Sequence, residues 1–240
     1  MRRNTIVLNL GKLMLLIMVV LSVYAMGSIA FPYLIPPFPT DIDFLAQKPD
    51  TLIGKRHYMI AFYTHISSSV FVLAAGLTQF SKTLMFRYPI WHRNIGKAYV
   101  FTVLFLSGPS GFIMAFYGSG GASAQWAFLL QALGWWYFTY MAYVTALKKD
   151  LLRHGEYMLR SYAMAFSAIT LRVATYLVSS YKFAFELRCA DDANNMLCYP
   201  NFYITEAWLS WVLNLILVEI LILAGLMRYY FPGLKNKAHG

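Results

Sequence analysis

Two histidines of this chain stand where a basic segment gives way to a long apolar run. His92 lies within YPIWHRNIGKAY (88–99), and His154 lies within RHGEYMLRSY (153–162). A neutral imidazole offers a lone pair to a metal, and two imidazoles on facing helices of a bundle can ligate the iron of a b-type haem. We therefore predict His92 and His154 as axial ligands of haem iron. The plainer interpretation of either histidine is a hydrated polar residue at a helix end.

Basic side chains surround both histidines, where they could neutralise the propionates of a haem. A guanidinium fork suits the two oxygens of a carboxylate, so Arg93 and Arg160 are the predicted propionate partners. The same charges are also expected if this side of the molecule simply faces the cytoplasm. They therefore do not distinguish the two interpretations.

Three further ionisable side chains fall inside apolar runs, namely His65, Arg172 and Glu219. Charge is costly to bury in lipid, so each is a functional candidate. An imidazole titrates near neutral pH, and we predict that His65 handles a quinone or a proton near the outer face. Arg172 is predicted to bind an anionic group. Its alternative is a structural pair with a carbonyl or with a carboxylate such as Glu219.

The composition is that of an integral membrane protein. Of 240 residues, 59% are hydrophobic and 12% are charged, and the mean hydropathy is +0.53. Soluble domains carry about a quarter charged residues. The net charge of +10 is divided into short clusters between apolar runs, which argues against a nucleic-acid partner. The sequence has no glycine-rich phosphate loop, zinc-type Cys/His spacing or nucleophile elbow.

The apolar runs predict an all-α protein of one domain, residues 1–240, with six transmembrane helices. Each run is close to the roughly 20 residues that cross a bilayer. The first is too long for a cleaved signal segment and is predicted to be retained; the alternative is cleavage near Ala30. The second to fifth helices are expected to form a four-helix core. The six predicted spans are 6–30, 58–80, 95–117, 125–147, 160–181 and 205–230.

The distribution of lysine and arginine predicts the orientation, because cytoplasmic loops are the more basic ones. It places both termini in the cytoplasm. The outer side carries only Lys48, Lys55, Arg56, Lys182 and Arg188. The cytoplasmic side carries Arg2, Arg3, Lys82, Arg87, Arg93, Lys97, Lys148, Lys149, Arg153, Arg160, Arg228, Lys235 and Lys237.

Two outer loops have distinct compositions. The loop 31–57 begins with a proline-rich stretch, 31–39, which we expect to run extended across the surface. The loop 182–204 holds both cysteines of the chain, Cys189 and Cys198. An oxidising exterior would join them in a disulfide; two unpaired thiols are the alternative.

Several of these stretches resemble a bacterial family of uncharacterised membrane proteins, domain of unknown function 2306. The resemblance runs over residues ~60–175 and implies a membrane protein without implying an activity. It is carried by THIS (64–67), GLTQF (76–80), YPIWHRNIGKAY (88–99), Ser107-Gly108, HGEYMLRSYA (154–163) and TLR (170–172).

More distantly, the beginnings of the third and fifth spans are similar to cytochrome b561-type proteins. Those have six helices and pair haem ligands between the second and fourth helices and between the third and fifth. By position, His92 and His154 would be the second of these pairs. His65 would need a histidine on the fourth span, which has none, and Gln131 is the nearest polar residue at comparable depth. The chain could therefore hold at most one bis-histidine haem.

Together these features predict a b-type haem protein, multi-pass in the cell inner membrane, that transfers electrons from a quinol-like donor. The expected cofactor is haem b, and the expected partners are the lipid bilayer, a quinone and other membrane subunits. Two alternatives stay open at this point. One is a haem-free accessory or assembly subunit of a larger membrane complex, and the other is a small-molecule transporter.

Overall fold

The protein is described from a computed structural model, which covers residues 20, 24–184 and 201–231. Every regular element in these residues is helical, which confirms the predicted all-α class. Four helices are long and apolar enough to cross a membrane. They are Arg56–Thr78, Pro89–Ala115, Leu151–Tyr181 and Phe202–Leu223.

These spans belong to a longer series of helices. We label them in chain order as α1 (24–34), α2 (Asp43–Ala46), α3 (Asp50–Ile53), α4 (Arg56–Thr78), α5 (Lys82–Arg87), α6 (Pro89–Thr102), α7 (Gly108–Ala115), α8 (Gly121–Leu147), α9 (Leu151–Ala184), α10 (Asn201–Leu223) and α11 (Leu226–Tyr230). A π-helix, Val103–Ser107, joins α6 to α7.

Two of the six predicted spans do not correspond to any of the four helices that are long and apolar enough to cross a membrane. The fourth corresponds to α8, which has 27 residues and no charged side chain. Its glutamines, tryptophans and tyrosines lower its hydropathy, yet it packs along α7, α9 and α10 within the bundle. The first predicted span, 6–30, lies largely outside the described residues. Six spans and the cytoplasmic side of both termini therefore stay predictions.

The core lies where α4, α6, α8 and α9 meet. Its fully buried members include Val72, Tyr99 and Ala142, with Trp135 and Met164 nearly so. These helices correspond to the predicted second to fifth spans. The structure adds α10, which packs along α9 and α8.

The third span is not one continuous α-helix. Pro89 occupies the first turn of α6, where a missing N–H costs nothing. Pro109 lies 20 residues further along the chain, at the first turn of α7, and cannot donate to the carbonyl one turn before it. The π-helix Val103–Ser107 accommodates this break. The predicted span 95–117 is thus two α-helical pieces with a distinct joint.

The outer segment 31–57 is more structured than its prolines predict. Helix α1 continues through Pro32 to residue 34, and the chain then turns, with the amide of Phe38 bonded to the carbonyl of Ile35 at 2.9 Å. The expectation of an extended stretch over 31–39 is therefore wrong. The hydroxyl of Tyr33 holds the segment together, because it donates to the Ile42 carbonyl and accepts from the Phe44 amide, each at 2.9 Å.

The sixth predicted span ends earlier than expected. Helix α10 stops at Leu223, and Gly225 takes a φ of 83°, which begins α11 in a new direction. Cys189 and Cys198, in the other predicted outer loop, lie outside the described residues.

Candidate functional site

A cavity of about 220 Å³ lies among α4, α7, α8, α9 and α10. It reaches from one end of the bundle, at Phe44 and Tyr117, to the middle of the bundle, at Leu73 and Ala165. Its walls are largely apolar. A small set of side chains with polar atoms interrupts them, consisting of His65, Ser69, Ser107, Tyr117, Gln131, Trp135, Ser167, Tyr203 and Ser210.

His65 enters the cavity from α4 with a defined orientation. Its Nδ1 lies 3.0 Å from the carbonyl oxygen of Ser107 and 3.5 Å from the hydroxyl of Ser110. A carbonyl only accepts, so Nδ1 carries the proton and donates it, and the neutral ring keeps its lone pair on Nε2. No residue in the described part of the chain bonds to Nε2. The imidazole therefore presents an acceptor to the cavity.

The carbonyl that orients His65 lies at the junction of the π-helix and α7. Three carbonyls at this joint accept from side chains: Leu104 from the Trp136 indole at 3.1 Å, Leu106 from Ser110 at 2.6 Å, and Ser107 from His65. The Trp136 indole thus bonds the Leu104 carbonyl, which would accept from residue 109 in a π-helix if that residue were not a proline. The run Ser107-Gly108-Pro109-Ser110 thus converts a span into a hydrogen-bonding platform.

Two glycines on α7 make room for aromatic side chains at this platform. A Cβ on Gly111 would lie 2.9 Å from Cε1 of His65. A Cβ on Gly108 would collide with the indole nitrogen of Trp136. The close approach of α4 and α8 to α7 therefore depends on the absence of side chains at both positions.

Gln131 faces the cavity from α8, at the depth predicted for it. Its amide nitrogen donates to the hydroxyl of Ser167 and, at 3.4 Å, to the carbonyl of Met164. Gln131 and His65 thus line one cavity, as their comparable depth in the sequence suggested. The hydroxyl of Ser69, on α4, is buried there and has no hydrogen-bond partner among the described residues.

His92 and His154 form a separate pair outside this cavity, close enough for their charges to interact. The Nδ1 of His154 donates to the carbonyl of Ala142 at 2.8 Å, so its Nε2 holds the lone pair. The Nδ1 of His92 is buried without a partner in the described residues. Among the described residues, no third histidine, cysteine, aspartate or glutamate completes a metal-binding group with this pair. A metal held here would therefore have two protein ligands.

The arginines near these sites have different environments. Arg160 forks onto Glu219, with Nε to Oε1 at 2.6 Å and Nη2 to Oε2 at 2.9 Å. A propionate at Arg160 would have to compete with this carboxylate. Glu219, considered as a partner for Arg172, is thus paired with Arg160 instead. Arg93 is exposed beside His92, and Arg172 lies on α9, about three turns beyond Arg160.

Sequence reasoning missed the other polar side chains of the cavity, among them Ser69, Ser107, Ser167 and Ser210. Serines are common between transmembrane helices, so their presence alone did not mark them. A usable signal was the Pro109 within an apolar run, since a proline there frees carbonyls that other groups must satisfy.

Comparison with known proteins relates most of this structure to one family. The family described as predicted membrane protein, domain of unknown function 2306, matches residues 62–222. His65, Gln131 and both histidines of the separate pair lie within that match. No curated protein and no solved structure matches the chain.

Proposed function

The chain belongs to the DUF2306 family of predicted membrane proteins, and from that premise we propose a redox function within the bilayer. The protein binds a quinol-class molecule in the cavity of His65, and His92 and His154 would hold a b-type haem as the electron acceptor. The observation that carries the proposal is the unpaired Nε2 of His65, an oriented proton acceptor inside an apolar cavity.

The volume of the cavity supports a ligand with a single ring. A cavity of about 150 Å³ lined by apolar side chains binds benzene. The present one, of about 220 Å³, has room for a substituted six-membered ring and is much too small for a porphyrin. A molecule from the lipid phase would place its ring here and leave an apolar tail outside.

The chemistry of His65 supports proton removal from such a ring. A hydroxyl next to Nε2 can donate its proton to the imidazole as the ring loses an electron. The Ser107 carbonyl keeps the ring in the same orientation during this transfer, because its bond is to Nδ1. His65 is therefore proposed as the general base.

The His92–His154 pair fits the donor set of a bis-histidine haem. Metal-ligating histidines donate their second N–H to a carbonyl or carboxylate, as His154 does to Ala142. The buried Nδ1 of His92 has no hydrogen-bond partner among the described residues. A bound ligand would supply that partner. A bound haem would accept electrons one at a time. Arg93 stays a candidate for a propionate.

We place the protein in the inner membrane with six spans and both termini in the cytoplasm. The lysine and arginine distribution and the four apolar helices support this orientation. It puts His92 and His154 near the cytoplasmic face and the mouth of the cavity near the outer face.

The test is spectroscopic. Protein purified from cells supplied with haem should show a Soret band that sharpens on reduction. His92→Ala and His154→Ala should each remove it, whereas His57→Ala, an exposed histidine on α4, should retain it. Colourless protein would contradict the haem.

The quinol half of the proposal has its own readout. A short-chain quinol should reduce the haem, and His65→Phe should slow this by about 10²–10⁴-fold while leaving the spectrum unchanged. An unaltered rate in His65→Phe would remove His65 from the mechanism.

A further inference from the structure

The polar atoms of the cavity are not a balanced set of donors and acceptors. His65 presents only the Nε2 lone pair, because its single proton is given to the Ser107 carbonyl. A ligand next to this nitrogen is satisfied only if it donates. The other polar groups in the wall can likewise be assigned as donors or acceptors.

Gln131 also presents an acceptor. The oxygen and nitrogen of its side-chain amide could be placed in either of two orientations, and the neighbouring groups determine which one is present. The Ser167 hydroxyl donates to the Met164 carbonyl at 2.7 Å, so both groups need a donor from Gln131. The nitrogen supplies it to both. The Oε1 of Gln131 is left as an acceptor without a donor in the described residues.

Most of the serine hydroxyls in the wall already donate their protons to other groups of the protein. Ser107 donates to Ser68 at 2.7 Å, and Ser210 donates to the Ala207 carbonyl at 3.1 Å. Ser69 alone among the described serines of the wall has an uncommitted proton. Trp135 also lines the cavity, and its indole N–H is buried without a hydrogen-bond partner in the described residues. These groups therefore comprise two oriented acceptors, on α4 and α8, one hydroxyl that can serve either way, and one indole donor.

From this pattern we propose that the cavity is specific for hydroxylated rings, that is, for the reduced, quinol form of a carrier over its oxidised form. One hydroxyl donates to Nε2 of His65, and the other polar end of the ring donates to Oε1 of Gln131. This inference rests on the proposed function and names the redox form that the site takes.

The physical reason is the cost of unpaired acceptors. A quinone carries only carbonyl oxygens, which would face the lone pairs of His65 and Gln131 without a proton between them. A site built to accept from a substrate hydroxyl strongly rejects analogues that lack it, because its buried polar groups stay unpaired. We expect the quinol to bind at least about tenfold more tightly than the quinone.

The experiment compares three probes on the full-length protein in lipid nanodiscs. They are a short-chain substituted hydroquinone, its benzoquinone and its dimethyl ether, each measured by equilibrium dialysis under anaerobic conditions. The hydroquinone should bind most tightly, and the dimethyl ether should resemble the quinone, since it has the same ring without donors. Equal affinity for all three would overturn the preference and leave the cavity as a ring site. Binding of none would overturn the proposed function itself.

Variants of Gln131 and His65 distinguish the contribution of the two hydrogen-bond acceptors from that of the shape of the cavity. Gln131→Met keeps the length of the side chain and should reduce the preference, as should His65→Phe. His65→Gln offers an amide donor to Ser107 and an acceptor to the cavity, so it should retain part of the preference and covers the case in which His65→Phe does not fold. Gln47→Met, at an exposed glutamine that does not line the cavity, is the matched control. A full preference in folded Gln131→Met protein would exclude Gln131 from the recognition.

Discussion

At the scale of single residues, the candidate site depends on how closely α7 approaches the His65 ring. Gly111 faces that ring with no side chain, and the Ser107 carbonyl accepts the Nδ1 proton at 3.0 Å. An added atom on α7 would move the imidazole away from this carbonyl. The acceptor on Nε2 would then lose its fixed direction.

Gly111→Ala tests this dependence. The new Cβ would lie 2.9 Å from Cε1 of His65, so the ring must shift by several tenths of an ångström. We expect quinol affinity to fall about tenfold or more, since misplaced polar groups lose the bonds for which the site is built. Equilibrium dialysis gives the affinity, and circular dichroism confirms that the helices are intact.

The control for Gly111→Ala is Gly54→Ala. Gly54 has an ordinary helical φ of −65°, and a Cβ there meets only the Asp50 carbonyl at 3.4 Å. It should leave quinol binding unchanged. Equal losses in both variants would show that the effect is general and not specific to His65.

Part of this residue-level picture could be predicted from the sequence and part could not. His65 stood out because it is ionisable within an apolar run, and Gln131 because it is polar at a similar depth. The partner of His65 could not be predicted, because the contact with the Ser107 carbonyl depends on how α4 packs against the junction of the π-helix and α7. No local propensity distinguishes that joint from a continuous span with a proline.

At the scale of elements, an ion pair joins α9 to α10. Arg160 and Glu219 make two parallel bonds, and their side chains are 17% and 46% exposed. Arg160 also lies over the ring of Tyr157, with 5.5 Å to its centroid. Within a membrane neither charge has water as an alternative partner, so removal of one leaves the other poorly satisfied.

Single and double variants should therefore behave differently. Arg160→Met and Glu219→Leu should each cost about 1–3 kcal/mol, because each leaves a polar partner unsatisfied. The double variant should recover most of the loss, since apolar replacement of a whole pair is close to neutral. Thermal unfolding in detergent gives the midpoints. Additive losses in the double variant would contradict this coupling.

The outer segment is fixed to the bundle by Lys48. Its Nζ donates to the Tyr117 carbonyl at 3.0 Å and to the Ser119 hydroxyl at 2.8 Å, and it lies 4.8 Å from the centroid of Phe44. Only 8% of Lys48 is exposed. Phe44 and Tyr117 both line the cavity, so this lysine holds the segment across the outer end of the site.

The burial of Lys48 makes the stability of the folded protein depend on pH. It lowers the pKa of Lys48 below its ordinary value of 10.5, because the charged amine loses water. Between the lowered pKa and 10.5 the unfolded chain binds more protons, so the stability of the folded state rises with pH in this window. The midpoint of thermal unfolding should rise towards alkaline pH relative to Lys48→Met. A constant difference between the two proteins would refute this.

At the scale of the whole molecule, the protein places two sites at different heights of one bundle. His154 and Ser167 lie on the same helix, about 20 Å apart along its axis. The sequence could predict this arrangement, because apolar runs set the spans and basic residues set their ends. It could not predict that α10 joins the core, since a uniformly apolar helix does not show which face has a protein neighbour.

The predicted topology has a direct measurement. A cysteine placed at Thr83, in the basic stretch before α6, should be labelled by a membrane-impermeant reagent only after the cells are opened. A cysteine at Thr51, in the outer segment, should be labelled in intact cells. The reverse pattern would contradict the orientation.

The outer loop 182–204 provides a separate prediction. Cys189 and Cys198 should form a disulfide, which closes a short loop and stabilises the protein by roughly 2–3 kcal/mol. Unreduced, denatured protein should then resist alkylation at both positions, and reduced protein should take up two labels. Two labels without reduction would show that the thiols are unpaired.

The π-helix has one further consequence, which concerns the length of the chain rather than its side chains. Loss of one residue between Val103 and Ser107 would rotate α7 by about 100° and shift it by about 1.5 Å relative to α6. Both pieces would still be helical and apolar enough to insert. Gly108 and Gly111 would then turn away from α8 and α4, and the site would be dismantled in a protein that still crosses the membrane. The number of residues between His92 and Gly111 therefore determines which way Gly108 and Gly111 face, and so whether the site can form.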